Sequence, residues 1–343
     1  MPREFASITP EEGGLRWKFV KNYWIGKFLW QSGLIRRLRN ERYAAVIFIG
    51  NAYYLSSWIA AIYCKFFGVK VLMWGHGFLK VEHGIKGIIR RLFYSLADGF
   101  FIYSKHSIDL MKKHGLGQKR LYQINNSLDY ENQLKIRERL LKSKSPYGEE
   151  TGDTLKLVFI GRLTQQKRLD ILLLAIRYVE DRGIPIKCYL IGDGEMLVHL
   201  KSMVNEYELN RSIYFYGASY NEAITAVFLF HADVCISPGE VGLTAMHSMV
   251  YGTPVITHSN VDRQMPEFES VIPGETGDFF KENDALDLAE KMLRWKREHS
   301  DRNWVRNQCY KMIDTNYTPD FQQSVFIDGI TEILDEIRYI EKK

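Results

Sequence analysis

Two loops of this 343-residue chain carry residue types that suit an anion. One reads Gly161-Arg162-Leu163-Thr164-Gln165-Gln166-Lys167 and supplies two cations. Arginine can grip two oxygens at once, whereas lysine acts as a point charge. The other reads Ser237-Pro238-Gly239-Glu240-Val241-Gly242-Leu243-Thr244 and opens a run without a breaker before Gly252. A helix starting there leaves the amides of Val241, Gly242, Leu243 and Thr244 free, and free amides at the positive end of a helix dipole favour an anion. A diphosphate is a natural guest. Glu240, in the same turn, can accept from hydroxyl groups. His76, flanked by Gly75 and Gly77, is a candidate for hydrogen bonding or proton handling. The chemistry such groups could serve is cleavage of a bond to a diphosphate, in which charge develops on the departing oxygen and is met by fixed cations and amides.

The elements that must hold these loops follow from apolar runs and Gly/Pro punctuation. Strands are expected at 44–49, 69–74, 99–103, 121–124, 155–160, 186–191, 213–216, 232–236 and 255–257, with helical patterns between them. Apolar strands alternating with helices predict an α/β fold with parallel sheets, in which ligands sit beyond the carboxyl ends of the strands. Both anion-suited loops lie at such ends, as do His76, Ser104 and Asn126. The length and a 46% hydrophobic content are enough for two cores. A polar stretch from Lys142 to Asp153 reads as the linker. The expected division is a first domain at 1–145, a second at 146–317, and a C-terminal helix over 318–343 packing back toward the first domain.

Composition narrows the function classes. A net charge of +5 is mild and implies only tolerance of anionic partners. Four cysteines without paired or metal-like spacing read as reduced and buried, which suits the cytoplasm. No signal peptide, membrane-length apolar run or nucleic-acid readout motif is visible, and no metal site is expected. Residues 15–42 combine eight cations with many aromatic residues and no acid before Glu41. This pattern fits a segment resting on an anionic membrane surface, and equally an amphipathic helix with one core face.

Taken together, Gly161-Arg162-Leu163 with Lys167, Gly192-Asp193-Gly194, Gly217, Gly242-Leu243-Thr244 and Gly252-Thr253-Pro254-Val255, followed by Glu267 and Gly277, resemble the donor-binding domain of the retaining family-4 glycosyltransferases. The turns Gly75-His76-Gly77 and Asn126-Ser127-Leu128-Asp129 are similar to the family's first-domain turns. The resemblance implies a GT-B fold, two Rossmann-like doubly wound domains facing across a cleft. It implies a hexosyltransferase that moves a sugar from a nucleotide-sugar donor to a glycan or lipid-linked acceptor, in surface polysaccharide or glycolipid synthesis, on the inner face of a membrane. No cofactor or metal is then required, because the acceptor hydroxyl attacks from the leaving group's side and the departing phosphate takes its proton. The implied catalytic residues are His76, Arg162, Lys167 and Glu240. The implied donor site is Gly161, Arg162, Lys167, Gly192, Gly217, Glu240, Val241, Gly242, Leu243, Thr244 and His247.

Two departures from the family pattern bear on this. Positions where the family commonly places carboxylates hold Gly239 and His247, so donor contacts are altered and the choice of nucleotide does not carry over. The first domain is also short at its front, with little room for strands before Ala44. A catalytically impaired nucleotide-sugar-binding protein is therefore the alternative reading.

Overall fold

The computed structural model describes residues 18–148 and 153–341. Its strands are β1 (Lys21–Ile25), β2 (Phe28–Ser32), β3 (Ala45–Ile49), β4 (Lys70–Gly75), β5 (Gly99–Ile102), β6 (Arg120–Gln123), β7 (Leu155–Ile160), β8 (Ile186–Ile191), β9 (Ile213–Gly217), β10 (Val234–Ser237), β11 (Val255–His258) and β12 (Gly277–Phe280). They form an antiparallel hairpin β1-β2, a four-stranded sheet of order β3-β4-β5-β6, and a six-stranded sheet of order β12-β11-β10-β7-β8-β9. Among the described residues the chain forms two compact units, one of residues 18–74, 83–100 and 333–341, the other of residues 75–82 and 101–332.

The six-stranded sheet lies within the larger unit, and every pairing in it is parallel. Its strands are apolar on both faces because helices cover both sides. The helix Leu169–Glu180 alone buries Leu169, Ile171, Leu172, Leu173, Ala175, Ile176 and Val179 against it. Each large side chain so buried contributes about 1.5–3 kcal/mol relative to exposure. The strand order reverses between β7 and β10, which pair directly through Leu157↔Val234 and Val158↔Cys235. In doubly wound sheets that reversal opens a crevice outside the carboxyl ends of the two strands. The loop from Gly161 to Lys167 leaves β7 there, and the turn from Pro238 to Leu243 leaves β10.

In the smaller unit, β3 and β4 pair in parallel from Ala45↔Lys70 to Ile49↔Trp74. The segment 15–42 differs from its expected form. Residues 15–17 lie outside the described residues. The stretch weighed as an amphipathic helix is instead the hairpin β1-β2, followed by a short helix, Leu34–Asn40. The cause is the turn Gly26-Lys27: Gly26 has φ +58°, and glycine at the first position of a two-residue hairpin turn matches the twist of the strands. Tyr23, Trp24, Ile25, Phe28 and Trp30 stay exposed on this hairpin. Between Phe28, Tyr53, Ile85 and Ile89 lies a largely apolar cavity of about 300 Å³ bordered by Lys27, Lys86 and Arg90. The helix Gly84–Ser95 also leaves Ile88 and Leu92 exposed on the stripe it shares with Ile85 and Ile89. Among the described residues no helix is long and apolar enough to cross a membrane.

Candidate functional site

The loop after β7 is packed at glycines against the loops that follow β8 and β10. A β-carbon on Gly192 would come within 1.8 Å of the Gly161 carbonyl oxygen, one on Gly194 within 2.4 Å of the Leu163 carbonyl oxygen, and one on Gly239 within 2.0 Å of the Gln166 carbonyl oxygen. Backbone bonds use this closeness: Leu163 N donates to Asp193 O at 2.9 Å, and Gly239 N to Lys167 O at 3.1 Å. Gly192 N donates to Gly217 O at 2.9 Å, so Gly192 and Gly217 end β8 and β9 as supports for the loop after β7.

The turn after β10 is held at several points. Lys167 Nζ donates to Glu240 O at 2.7 Å, and Thr257 Oγ1 donates to Gly239 O at 3.2 Å. Gln264, itself buried, accepts from Val241 N at 2.9 Å and donates to Thr257 Oγ1 and His258 O. The Val241 amide, expected to be free, is therefore taken. The six-residue helix Thr244–Met249 follows, tied to the end of β7 by Thr244 Oγ1 donating to Ile160 O. The amides of Gly242, Leu243 and Thr244 donate to no protein group among the described residues.

The Arg162 side chain is exposed and makes no hydrogen bond or ion pair with the described residues. Lys167 is half-buried, and burial draws its ammonium below the ordinary lysine value while the Glu240 carboxylate, 3.9 Å away, pulls it back. Arg162 and Lys167 are also close enough to feel each other's charge. Two carboxylates complete the group. Glu240 is half-exposed, whereas Glu267 is 2% exposed, accepts from Asn126 Nδ2 on one oxygen and has no partner among the described residues on the other. Burial raises the Glu267 carboxyl, an effect that Asn126 and Lys167 only partly offset. Its charge in turn adds to the burial that raises the Tyr103 phenol, and the Tyr103 ring lies 4.9 Å from that of His76. Burial lowers the His76 imidazole, and its Nδ1 is buried without a partner among the described residues. The groups thus run from Arg162 through Lys167, Glu240, Glu267 and Tyr103 to His76. Sequence reasoning gave no role to Gln264 or Tyr103, marked Asn126 only by its place at a strand's carboxyl end and in a matching turn, and placed Glu267 only as a matching position.

His247 faces a different partner from the one its place in the resemblance suggests. Its Nε2 lies 3.0 Å from Glu222 Oε1, a close contact short of good hydrogen-bond alignment. The same oxygen accepts from Tyr251 OH at 2.6 Å and Gln133 Nε2 at 2.9 Å. Burial would raise the Glu222 carboxyl, but His247, Tyr251 and Gln133 outweigh it and hold the carboxyl at about 2 against an ordinary 4.5. A carboxyl lowered by folding adds stability that is complete above its unfolded value and lost as the pH falls through its folded one. For this shift the contribution is on the order of 3 kcal/mol. The melting temperature of the protein should therefore fall more steeply between pH 4.5 and about 2 than that of a Glu222→Gln variant. Parallel curves would remove this account.

A parallel sheet of this order, reversing between β7 and β10, has the form of a Rossmann-like domain. Residues 144–312 match the family described as glycosyl transferases group 1. A glycosyltransferase of Salmonella typhimurium named for colanic acid biosynthesis, WcaL, is 28% identical over 54% of this chain and 46% of its own length. The alpha-monoglucosyldiacylglycerol synthase of Streptococcus pneumoniae is 31% identical over 36% of this chain and 28% of its own. The matched stretches thus span less than half of these relatives. Among solved structures, Anabaena HepE in complex with UDP aligns with a TM-score of 0.66 at 13% identity, over 87% of this chain and 82% of that one. The apo form of the lipopolysaccharide outer core galactosyltransferase WaaB aligns with a TM-score of 0.66 at 15% identity, over 87% and 77%. The shared architecture is the GT-B fold with Rossmann-like domains. Among the described residues no cluster of three or more His, Cys, Asp or Glu could hold a metal ion, and all four cysteines are buried and unpaired.

Proposed function

We propose that the protein is a retaining glycosyltransferase that moves a hexosyl group from a nucleoside-diphosphate sugar to a glycan or lipid-linked acceptor. The observation that carries this reading is the meeting of Arg162, Lys167 and the free amides of Gly242, Leu243 and Thr244 at the carboxyl ends of β7 and β10. In the reaction the bond from the sugar's anomeric carbon to the diphosphate oxygen breaks, and the two cations and the amides meet the charge left on that oxygen. The acceptor hydroxyl forms the new bond on the same face, and its proton passes to the departing phosphate. Configuration is thereby retained without a protein nucleophile or a protein-held metal. Glu240, positioned by Lys167, accepts from a sugar hydroxyl. Neutral His76 and buried Glu267 hold the sugar or the acceptor.

A second reading, a donor-binding protein without turnover, is favoured by one feature: Gly239 stands against backbone and leaves no room for a carboxylate there. Melting the purified protein with a panel of nucleotide sugars tests donor binding, since a ligand of the folded state raises the melting point. Nucleoside diphosphate released in the presence of a lipid-linked acceptor then separates the readings. Binding with release supports the transferase, binding without release the second reading, and no stabilisation by any donor overturns both.

The acceptor side is proposed to meet an anionic membrane surface. The exposed aromatic residues of the β1-β2 hairpin and the stripe Ile85, Ile88, Ile89 and Leu92, bordered by cations, support this. Such a surface binds through apolar insertion together with charge. Co-sedimentation with vesicles should rise with phosphatidylglycerol content and fall with salt. Binding indifferent to both would exclude a charged membrane contact.

A further inference from the structure

Beside the anion-binding loops lies a cavity of about 430 Å³ lined by Asp129, Gly161, Glu222, Leu243, Thr244 and His247. Its chemistry differs from that of the clamp. Two carboxylate side chains border it, and no arginine or lysine does. Glu222 is loaded on one oxygen only: Tyr251, Gln133 and His247 all address Oε1, and no protein donor among the described residues addresses Oε2. A carboxylate fixed in this way can rotate little and presents its second oxygen as a pure acceptor. It repels phosphate and favours a neutral group rich in O–H donors. The cavity shares Gly161, Leu243 and Thr244 with the clamp, so a ligand with a diphosphate on the amides has its neighbouring hydroxyl-bearing part here.

We infer that Glu222, held by Tyr251, Gln133 and His247, accepts hydrogen bonds from a vicinal diol of the donor nucleotide, the hydroxyl pair of its pentose. His247 lies on the helix Thr244–Met249, and Glu222 opens the helix Glu222–His231. His247, Tyr251 and Gln133 are positioning residues that fix its orientation. This inference rests on the donor reading above and identifies which part of the donor occupies the cavity.

The test titrates the full chain with UDP, GDP and ADP and with their 2′,3′-dideoxy forms, in the wild type and in Glu222→Gln. The amide variant keeps an oxygen for Tyr251 and Gln133 but loses the charge. Hydrogen bonds to a charged group imply that the wild type prefers the hydroxylated form of its nucleotide by about tenfold to a hundredfold. Glu222→Gln should lose most of that preference by weakening the hydroxylated form alone. The ratio of the two affinities is insensitive to any fraction of misfolded protein. Equal affinity of the wild type for both forms overturns the diol assignment while leaving the diphosphate clamp standing, as does an undiminished preference in Glu222→Gln. Failure of the wild type to bind any of the nucleotides overturns this inference and the donor reading together.

Discussion

Replacing Arg162 or Lys167 with alanine is expected to lower turnover by about one hundredfold or more, the cost of removing one fixed charge from a developing oxyanion. The two losses differ in kind. Arg162 is exposed and makes no ion pair with the described residues, so its removal should leave the fold and the melting temperature unchanged. Lys167 also donates to Glu240 O, so its removal loosens the turn that presents the amides and weakens donor binding along with turnover. Arg162→Lys keeps the charge but not the two-oxygen grip and should recover only part of the rate. Rates within a few-fold of wild type in both alanine variants would contradict the clamp.

The second large effect runs against the intuition that a carboxylate restored at position 239 repairs a departure from the family pattern. Gly239→Glu is expected to lower the melting temperature by roughly 5 °C or more and to abolish turnover. The first atom of any side chain at 239 would stand 2.0 Å from Gln166 O and 2.8 Å from Lys167 Cα, both backbone atoms. Gly239 cannot retreat, because its N–H donates to Lys167 O and its carbonyl accepts from Thr257 Oγ1. The substitution therefore forces apart the two loops that form the anion site. A variant as stable as wild type and equally or more active would show that the two loops can separate at little cost.

Much of this architecture is written locally in the chain. Strands such as β7 and β8 are mostly apolar runs, each with one lysine, ended by glycine, and their neighbours in sequence decide their form. The cations of the clamp sit in a loop whose place follows from the strand before it, so Arg162 and Lys167 were legible as a pair. The hairpin β1-β2 was not, because its cations and aromatic residues satisfy a helical pattern as well as an alternating one, and only the Gly26-Lys27 turn decides between them. The helix after Leu243 stops at Met249 although no breaker stands before Gly252. The least legible residues act across long sequence distances. Gln264 reaches back to Val241, and Glu222 gathers Gln133 from one segment and His247 and Tyr251 from another. Nothing near Gln264 or Glu222 in the chain marks either one.

The central claim, that cations and main-chain amides grip a diphosphate without help from a metal, is tested most directly by melting. The wild type and an Arg162→Ala, Lys167→Ala double variant are heated with millimolar UDP, GDP or ADP in the presence of a chelator. A nucleotide at about one hundred times its dissociation constant stabilises the fold by ~2.7 kcal/mol, a rise of several degrees. The predicted result is that rise in the wild type for at least one nucleotide and none in the double variant. Equal rises in both proteins, or a rise in the wild type only when magnesium or manganese replaces the chelator, would contradict it.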